Sequence, residues 1–322
     1  MQLRKLFFCV LVGFIGLIPV SIFAQPNSIH VITTFDYPGT GNSTTPFGIN
    51  GNGDIAGRYV DSSNVTRGFV RLRNGSFSSP LVAPGDTGNF TICFGINNAR
   101  TVGGEFFTLA TNTFHGFFLN NGAYTQFDFG GPFSTAVTGV NDAGNFTGAF
   151  GSIILPNKGF VNIGGNSTPI IVPGACDSFA YGINRSNRVV GSYTLTCLLG
   201  AANHGFIRSS NGTITNPVDY PGSTSTSLFG ISNSGWIVGN YIDASGKTHG
   251  FLRKNANTFV SFDFPNAKET SLNGINNSGL ISGRYTDSAM VRHGFIARIR
   301  NGHGDDDDGD DNDGGHGEHG DH

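Results

Sequence analysis

The chain has 322 residues, 49 of them glycine and 29 phenylalanine, with only 13% charged. Many glycines with abundant aromatic side chains describe an all-β protein with tight turns, and exclude a disordered one. The formal charge of −3 sums unlike parts: nine of the 22 acids lie in the last twenty residues and two of the 19 bases in the first five, leaving a balance too even to argue for nucleic acid.

Residues 1–24 read as an export signal. Arg4 and Lys5 supply the charged start, Leu6 to Val20 the apolar stretch, and Ala24 before Gln25 the cleavage point. A retained membrane anchor is the competing reading. Ile22 is larger than the usual residue at its place, so the cut could fall a few residues to either side. No later stretch is long and apolar enough to span a bilayer. The mature chain is expected to be secreted, extracellular or periplasmic.

Six repeats of about 45 residues fill positions 25–300. A Gly-Ile-Asn element, or a close variant, begins at Gly48, Gly95, Gly139, Gly182, Gly230 and Gly274. A second glycine follows at Gly57, Gly103, Gly148, Gly191, Gly239 and Gly283, usually with an aromatic residue just beyond it. Next comes a basic residue before Gly-Phe: Arg67, His115, Lys158, His204, His249 and His293. Last is a corner of the form aromatic-Asp-aromatic-Pro, carrying Asp36, Asp128, Asp219 and Asp263, with degenerate copies at Ala83-Pro84-Gly85 and Val172-Pro173-Gly174.

Each position has a mechanical role. Runs such as Asn50-Gly51-Asn52-Gly53 and Asn276-Asn277-Ser278-Gly279 start a type I turn with Asn and close it with a residue at positive φ. Alternating segments such as Ile237-Val238-Gly239-Asn240-Tyr241 suit half-buried strands. Strand glycines let backbones or rings approach closely, and Pro ends a strand at most corners. Four short strands fit between successive turns. The predicted fold is therefore an all-β, six-bladed β-propeller.

Closure is part of that prediction. The sixth repeat runs through Phe295-Ile296-Ala297-Arg298 into the tail without a corner of its own, while an extra strand and corner stand at His30 to Pro38. A ring that borrows its first strand to finish its last blade needs this arrangement, and it removes exposed edges. An open solenoid would need capping units instead.

The Gly-Ile-Asn turns and His-Gly-Phe elements resemble the bacterial extracellular family called HAF repeats, over residues 29–298. This chain has Gly where the family name has Ala, and Arg67 and Lys158 stand in place of His. The resemblance implies an exported β-repeat protein and supplies no catalytic residues.

Among polar candidates, His115, His204, His249 and His293 with Asp36, Asp128, Asp219 and Asp263 are expected to form a structural hydrogen-bonded pair in each repeat, by analogy with the His and Asp of WD-repeat propellers. Arg67 and Lys158 argue against a ring of metal ligands, since neither binds metal readily. Glu105, Asp142, Asp177 and Glu269 are carboxylates that a channel-mouth enzyme would draw on. No nucleophile elbow, phosphate loop or His-x-x-x-His spacing is present. The Asn-rich turns lack the oxygen ligands of a calcium loop, and the many Asn-x-Ser/Thr triplets follow from composition.

Three cysteines remain after the leader. Centring the fourth hairpin on Arg185-Ser186-Asn187-Arg188 sets Gly182 against Gly191 and Cys176 against Cys197, which predicts a disulfide unless a bulge shifts the register. Cys93 reads as a small buried apolar residue. Residues 301–322 are Asp-, Gly- and His-rich and are expected to be disordered and solubilising. Weak divalent-cation binding there would use His303, His316, His319 and His322 with Asp305, Asp306, Asp307 and Asp308. No cofactor is expected. The reading is a secreted, non-catalytic binding or scaffold module for a surface glycan or protein. Its alternative is an extracellular polysaccharide-directed enzyme with its site at the channel mouth.

Overall fold

The computed structural model describes residues 28–39, 43–152 and 156–300. The export signal and the acidic tail, with its histidines and aspartates, lie outside them. The described residues contain strands and no helix. Strand β1 (Ser28–Phe35) precedes the repeats. The first repeat holds β2 (Ser43–Ile49), β3 (Ile55–Val60) and β4 (Thr66–Arg71). The second holds β5 (Thr91–Ile96), β6 (Val102–Thr108), β7 (Thr113–Asn120) and β8 (Ala123–Phe127). The third holds β9 (Ser134–Val140), β10 (Phe146–Gly151), β11 (Lys158–Ile163) and β12 (Asn166–Pro169). The fourth holds β13 (Asp177–Ile183), β14 (Val189–Thr194), β15 (Asn203–Arg208) and β16 (Ile214–Thr215). The fifth holds β17 (Ser225–Ile231), β18 (Ile237–Ile242), β19 (Thr248–Asn255) and β20 (Thr258–Phe262). The sixth holds β21 (Glu269–Ile275), β22 (Leu280–Thr286) and β23 (Arg292–Arg300).

Repeats two to five each form a four-stranded antiparallel sheet in simple up-and-down order. The sixth and first repeats share one seven-stranded sheet, because Ser43 pairs with Arg292 in a single parallel step, and β1 pairs with β23. The first strands of successive repeats touch one another, and β21 touches β2. The result is an all-β, propeller-like fold. The expected fourth strand of the first repeat is reduced to two isolated bridges, Arg71 with Phe77 and Gly68 with Leu81. Pro80 cannot donate to a ladder, and the Ser78 hydroxyl, rather than a backbone carbonyl, accepts from the Val70 amide at 3.1 Å.

The core follows from the repeat. Phe69, Phe117, Phe160, Phe206, Phe251 and Phe295, the phenylalanines of the basic-Gly-Phe element, are all at most 1% exposed. Each sits directly across the ladder from a glycine of its repeat's second strand: Gly57, Gly104, Gly148, Gly191, Gly239 and Gly283. A Cβ at Gly191 would stand 2.6 Å from the Phe206 ring, so the glycine is the space the ring occupies. In the second repeat the equivalent glycine is Gly104, one residue beyond the expected Gly103.

The corners build a second layer. The aromatic residue after the corner Asp stacks on the aromatic residue of the second strand: Tyr37 on Tyr59 at 3.9 Å, Tyr220 on Tyr241 at 3.7 Å and Phe264 on Tyr285 at 3.7 Å between ring centres. This explains the aromatic after the second glycine in the four repeats that meet an Asp-aromatic corner, the third included, where Phe129 stacks on Phe150 at 4.0 Å.

A bulge interrupts the first strand of every repeat. It corrects the fourth hairpin, where Gly182 faces Val190 and Ala180 faces Gly191. Cys176 and Cys197 are nevertheless joined in a disulfide with Cα atoms 5.4 Å apart. The link forms beyond the paired strands, where the Cys176 amide donates to the Thr194 carbonyl at 2.8 Å. Cys93 is a free, buried thiol, and burial pushes it up to about 12.

Candidate functional site: the central channel

The bulges turn one residue of each first strand toward a shared cavity of about 320 Å³. These residues are Phe47, Phe94, Thr138, Tyr181, Phe229 and Asn273, each immediately before the Gly of the Gly-Ile-Asn element. Four are aromatic and all but Asn273 are partly exposed. Phe47 and Phe94 lie 5.0 Å apart between ring centres, and Tyr181 and Phe229 5.2 Å. The glycines that follow pack against the next repeat: a Cβ at Gly182 would come within 2.6 Å of the Phe229 carbonyl, and one at Gly274 within 2.5 Å of the Phe47 carbonyl. Sequence reading missed this ring. Its signal was present, since aromatic residues precede four of the six Gly-Ile-Asn elements.

At one end of the channel stand the Asn turns. The Asn50 amide donates to the Asn97 carbonyl at 3.0 Å, Asn97 to Asn141 at 3.2 Å, Asn141 to Asn184 at 3.0 Å and Asn184 to Ser232 at 3.1 Å. Asn276 donates to the Asn50 carbonyl at 2.9 Å, linking the sixth repeat to the first. Within a turn, the Asn184 side-chain oxygen accepts from the Ser186 and Arg188 amides, both at 3.0 Å. These contacts satisfy the Asn side chains inside the turn and between repeats, as turn chemistry requires.

At the other end stand three arginines. Arg58 lies across the ladder from Thr45, Arg284 across from Ser271, and Arg292 beside Ser43. All three line the channel cavity. Arg284 meets Glu269 at 3.4 Å. Among the described residues Arg58 and Arg292 form no ion pair, and the enclosed Nε of Arg58 has no hydrogen-bond partner. Burial first, and then the charge of Arg292, hold Arg58 below the usual arginine range, against the opposing pull of Glu105. Glu105 occupies in the second repeat the position Arg58 has in the first, each across from the glycine of its basic-Gly-Phe element. Burial pushes Glu105 up to about 7 although Arg58 opposes this.

Of the four carboxylates singled out from sequence, Glu105 and Glu269 thus stand at the arginine end. Asp142 stands among the Asn turns, accepting from the Asn98 amide at 2.9 Å. Asp177 accepts from the Asn157 amide at 2.7 Å. With Cys176 and Cys197 it makes the one His/Cys/Asp/Glu group of metal-binding size among the described residues, but both sulfurs are committed to the disulfide.

The His and Asp residues come together repeat by repeat. His115 meets Asp128 at 3.0 Å, His204 meets Asp219 at 2.8 Å, and His249 meets Asp263 at 2.8 Å. His293, whose repeat has no corner, meets Asp36 from the other end of the chain at 2.9 Å. Where the corner lacks Asp, the basic residue turns elsewhere: Arg67 to Asp61 at 3.0 Å and Lys158 to the Cys176 carbonyl at 3.1 Å. A second acid, six residues before the basic one, also escaped the sequence reading. Asp243 reaches His249 at 3.1 Å and Asp287 reaches His293 at 3.4 Å. His249 and His293 also stack on second-strand aromatics, Tyr241 at 4.8 Å and Tyr285 at 5.0 Å. The pairs tie strands to corners and lie outside the channel cavity.

No family model and no curated protein matches this chain. Solved structures do. AofleA from Arthrobotrys oligospora superposes with a TM-score of 0.53 at 9% identity, over 85% of this chain and 90% of that one. The Aleuria aurantia lectin, a six-bladed β-propeller, in complex with Fucα1-6GlcNAc superposes with a TM-score of 0.50 at 11% identity, over 84% and 97%. TolB from Acinetobacter baumannii gives 0.51 at 10% identity, over 77% and 65%. The likeness is one of fold: this chain is an all-β protein of β-propeller type.

Proposed function

We propose that this protein is an exported six-bladed β-propeller, of the HAF-repeat kind, that binds a surface ligand at the mouth of its central channel without chemical turnover. The carrying observation is the cavity of about 320 Å³, lined by four aromatic side chains and by Arg58, Arg284 and Arg292. Concave, largely apolar sites with a few convergent polar groups are where ligands bind. Six blades closed by the N-terminal strand are supported by the pairing of β1 with β23, by His293 with Asp36 and by Asn276 with Asn50. Export is supported by residues 1–24 and by the disulfide, which persists in oxidising compartments.

A glycan is the first ligand to test, a choice the lectin complex suggests. A glycan array probed with the protein, and with Phe94→Ala, is expected to give hits that the substitution weakens. The second reading, a polysaccharide-directed enzyme, draws on Glu105, whose raised value of about 7 suits a proton donor and whose charge acts on the channel-lining Arg58. Release of new reducing ends from a bound glycan, lost in Glu105→Gln, would replace the binding reading by the enzymatic one.

A further inference from the structure

The arginine end carries more charge than the fold needs. Arg58, Arg284 and Arg292 come from three strands at the seam between the first and sixth repeats. A single carboxylate, Glu269, pairs with one of them. Glu105, at about 7, holds only part of a charge at neutral pH. Like charges gathered in a half-buried site repel, and an enclosed guanidinium nitrogen without a partner costs free energy. An anion placed among them would relieve both. A second cavity of about 310 Å³ shares Arg58 and Arg292 with the channel and adds Ser43, Asn64, Thr286 and the Arg284-paired Glu269. The site therefore has room beyond a simple ion, hydroxyl and amide groups on one side and aromatic rings on the other.

We propose that this seam is a binding site for an acidic sugar, whose carboxylate or sulfate lies among Arg58, Arg284 and Arg292 while its ring enters the channel beside Phe47 and Phe94. The inference deepens the binding reading above and rests on it. Planar guanidinium groups match both carboxylate and sulfate oxygens through paired N–H donors. Aromatic faces and hydroxyl groups suit the apolar and polar sides of a pyranose.

The test titrates the full chain calorimetrically with trigalacturonate, with a sulfated galactose trisaccharide, and with neutral galactotriose. At least one acidic trisaccharide is expected to bind, tenfold or more tightly than galactotriose, and the two arms tell carboxylate from sulfate. Arg58→Gln and Arg292→Gln are each expected to weaken that binding at least tenfold. Unliganded, both variants are expected to melt no lower than the parent, because one of three like charges has gone. Failure of both acidic sugars, or binding that survives both substitutions, overturns the proposal. A clear fall in unliganded melting also overturns it, by making the arginines structural supports of the seam. A neutral glycan bound by the channel, lost in Phe94→Ala and kept in both arginine variants, would leave the binding reading standing and remove the acidic one.

Discussion

The histidine of each repeat shows how single residues adapt to their surroundings. His is kept in the four repeats that find a corner Asp, and Arg67 and Lys158 replace it where Val82 and Ile171 stand at the corner instead. His293 is the histidine that joins the two ends of the chain, pairing with Asp36. Burial alone would lower its imidazole pKa, but hydrogen bonds and charge from Asp36, then Asp287, outweigh that and raise it above 6.5. A raised histidine contributes stability that is fully present below about 6.5 and lost as pH rises through its folded value. Urea unfolding is therefore expected to show stability falling from pH 6 to pH 8.5. Because Asp36 is half exposed, the pair contributes at most about 1 kcal/mol. Asp36→Asn should flatten the fall, and an unchanged slope would place its origin elsewhere.

At the scale of elements, the second and third strands of each repeat are matched as cavity and filler. Phe206 is fully buried because Gly191 offers it space, and the Phe179 carbonyl closes on the same glycine from the other side. Gly191→Ala is expected to cost about 3 kcal/mol, the range of core overpacking, read as a drop in the urea midpoint. Adding Phe206→Leu should recover part of the loss, since the two sites share one space. Additive losses would mean that ring and glycine are not coupled. This match was half legible. The sequence shows glycine and phenylalanine recurring together, but the choice between Gly103 and Gly104 needed the ladder. Bulges were equally out of reach, because one extra residue in a strand leaves the composition unchanged and alters only the register. They decided that Gly182 would not face Gly191, and they turned Phe47, Phe94, Tyr181 and Phe229 into the channel.

At the scale of the whole molecule, the chain ends matter most. β1 joins β23, Asp36 meets His293 across 257 positions of sequence, and Tyr37 stacks on Tyr59 of the first repeat. Strand β1 and its corner thus bridge the sixth and first repeats. Deleting residues 28–38 is expected to lower thermal stability across the whole protein, with one cooperative transition shifted down or lost. Deleting residues 301–322 should leave melting unchanged. A harmless 28–38 deletion would remove ring closure and leave only the repeats.

Legible in the sequence alone were the period, the turns, the recurrence of glycine with phenylalanine and the expectation that a repeat pairs a His with a corner Asp. Each of these is a local or once-per-repeat requirement, and six copies make it visible. Cys176 and Cys197 were legible too, lying on either side of one hairpin. The arginine end belongs to the tertiary structure alone. Arg58 and Arg284 are 226 positions apart and hold equivalent places in their repeats, and Arg292 stands where the other repeats have Thr66, Phe114, Asn157, Asn203 and Thr248. They meet because the sixth repeat shares a sheet with the first, and no periodic signal records which side chains a contact between distant repeats brings face to face.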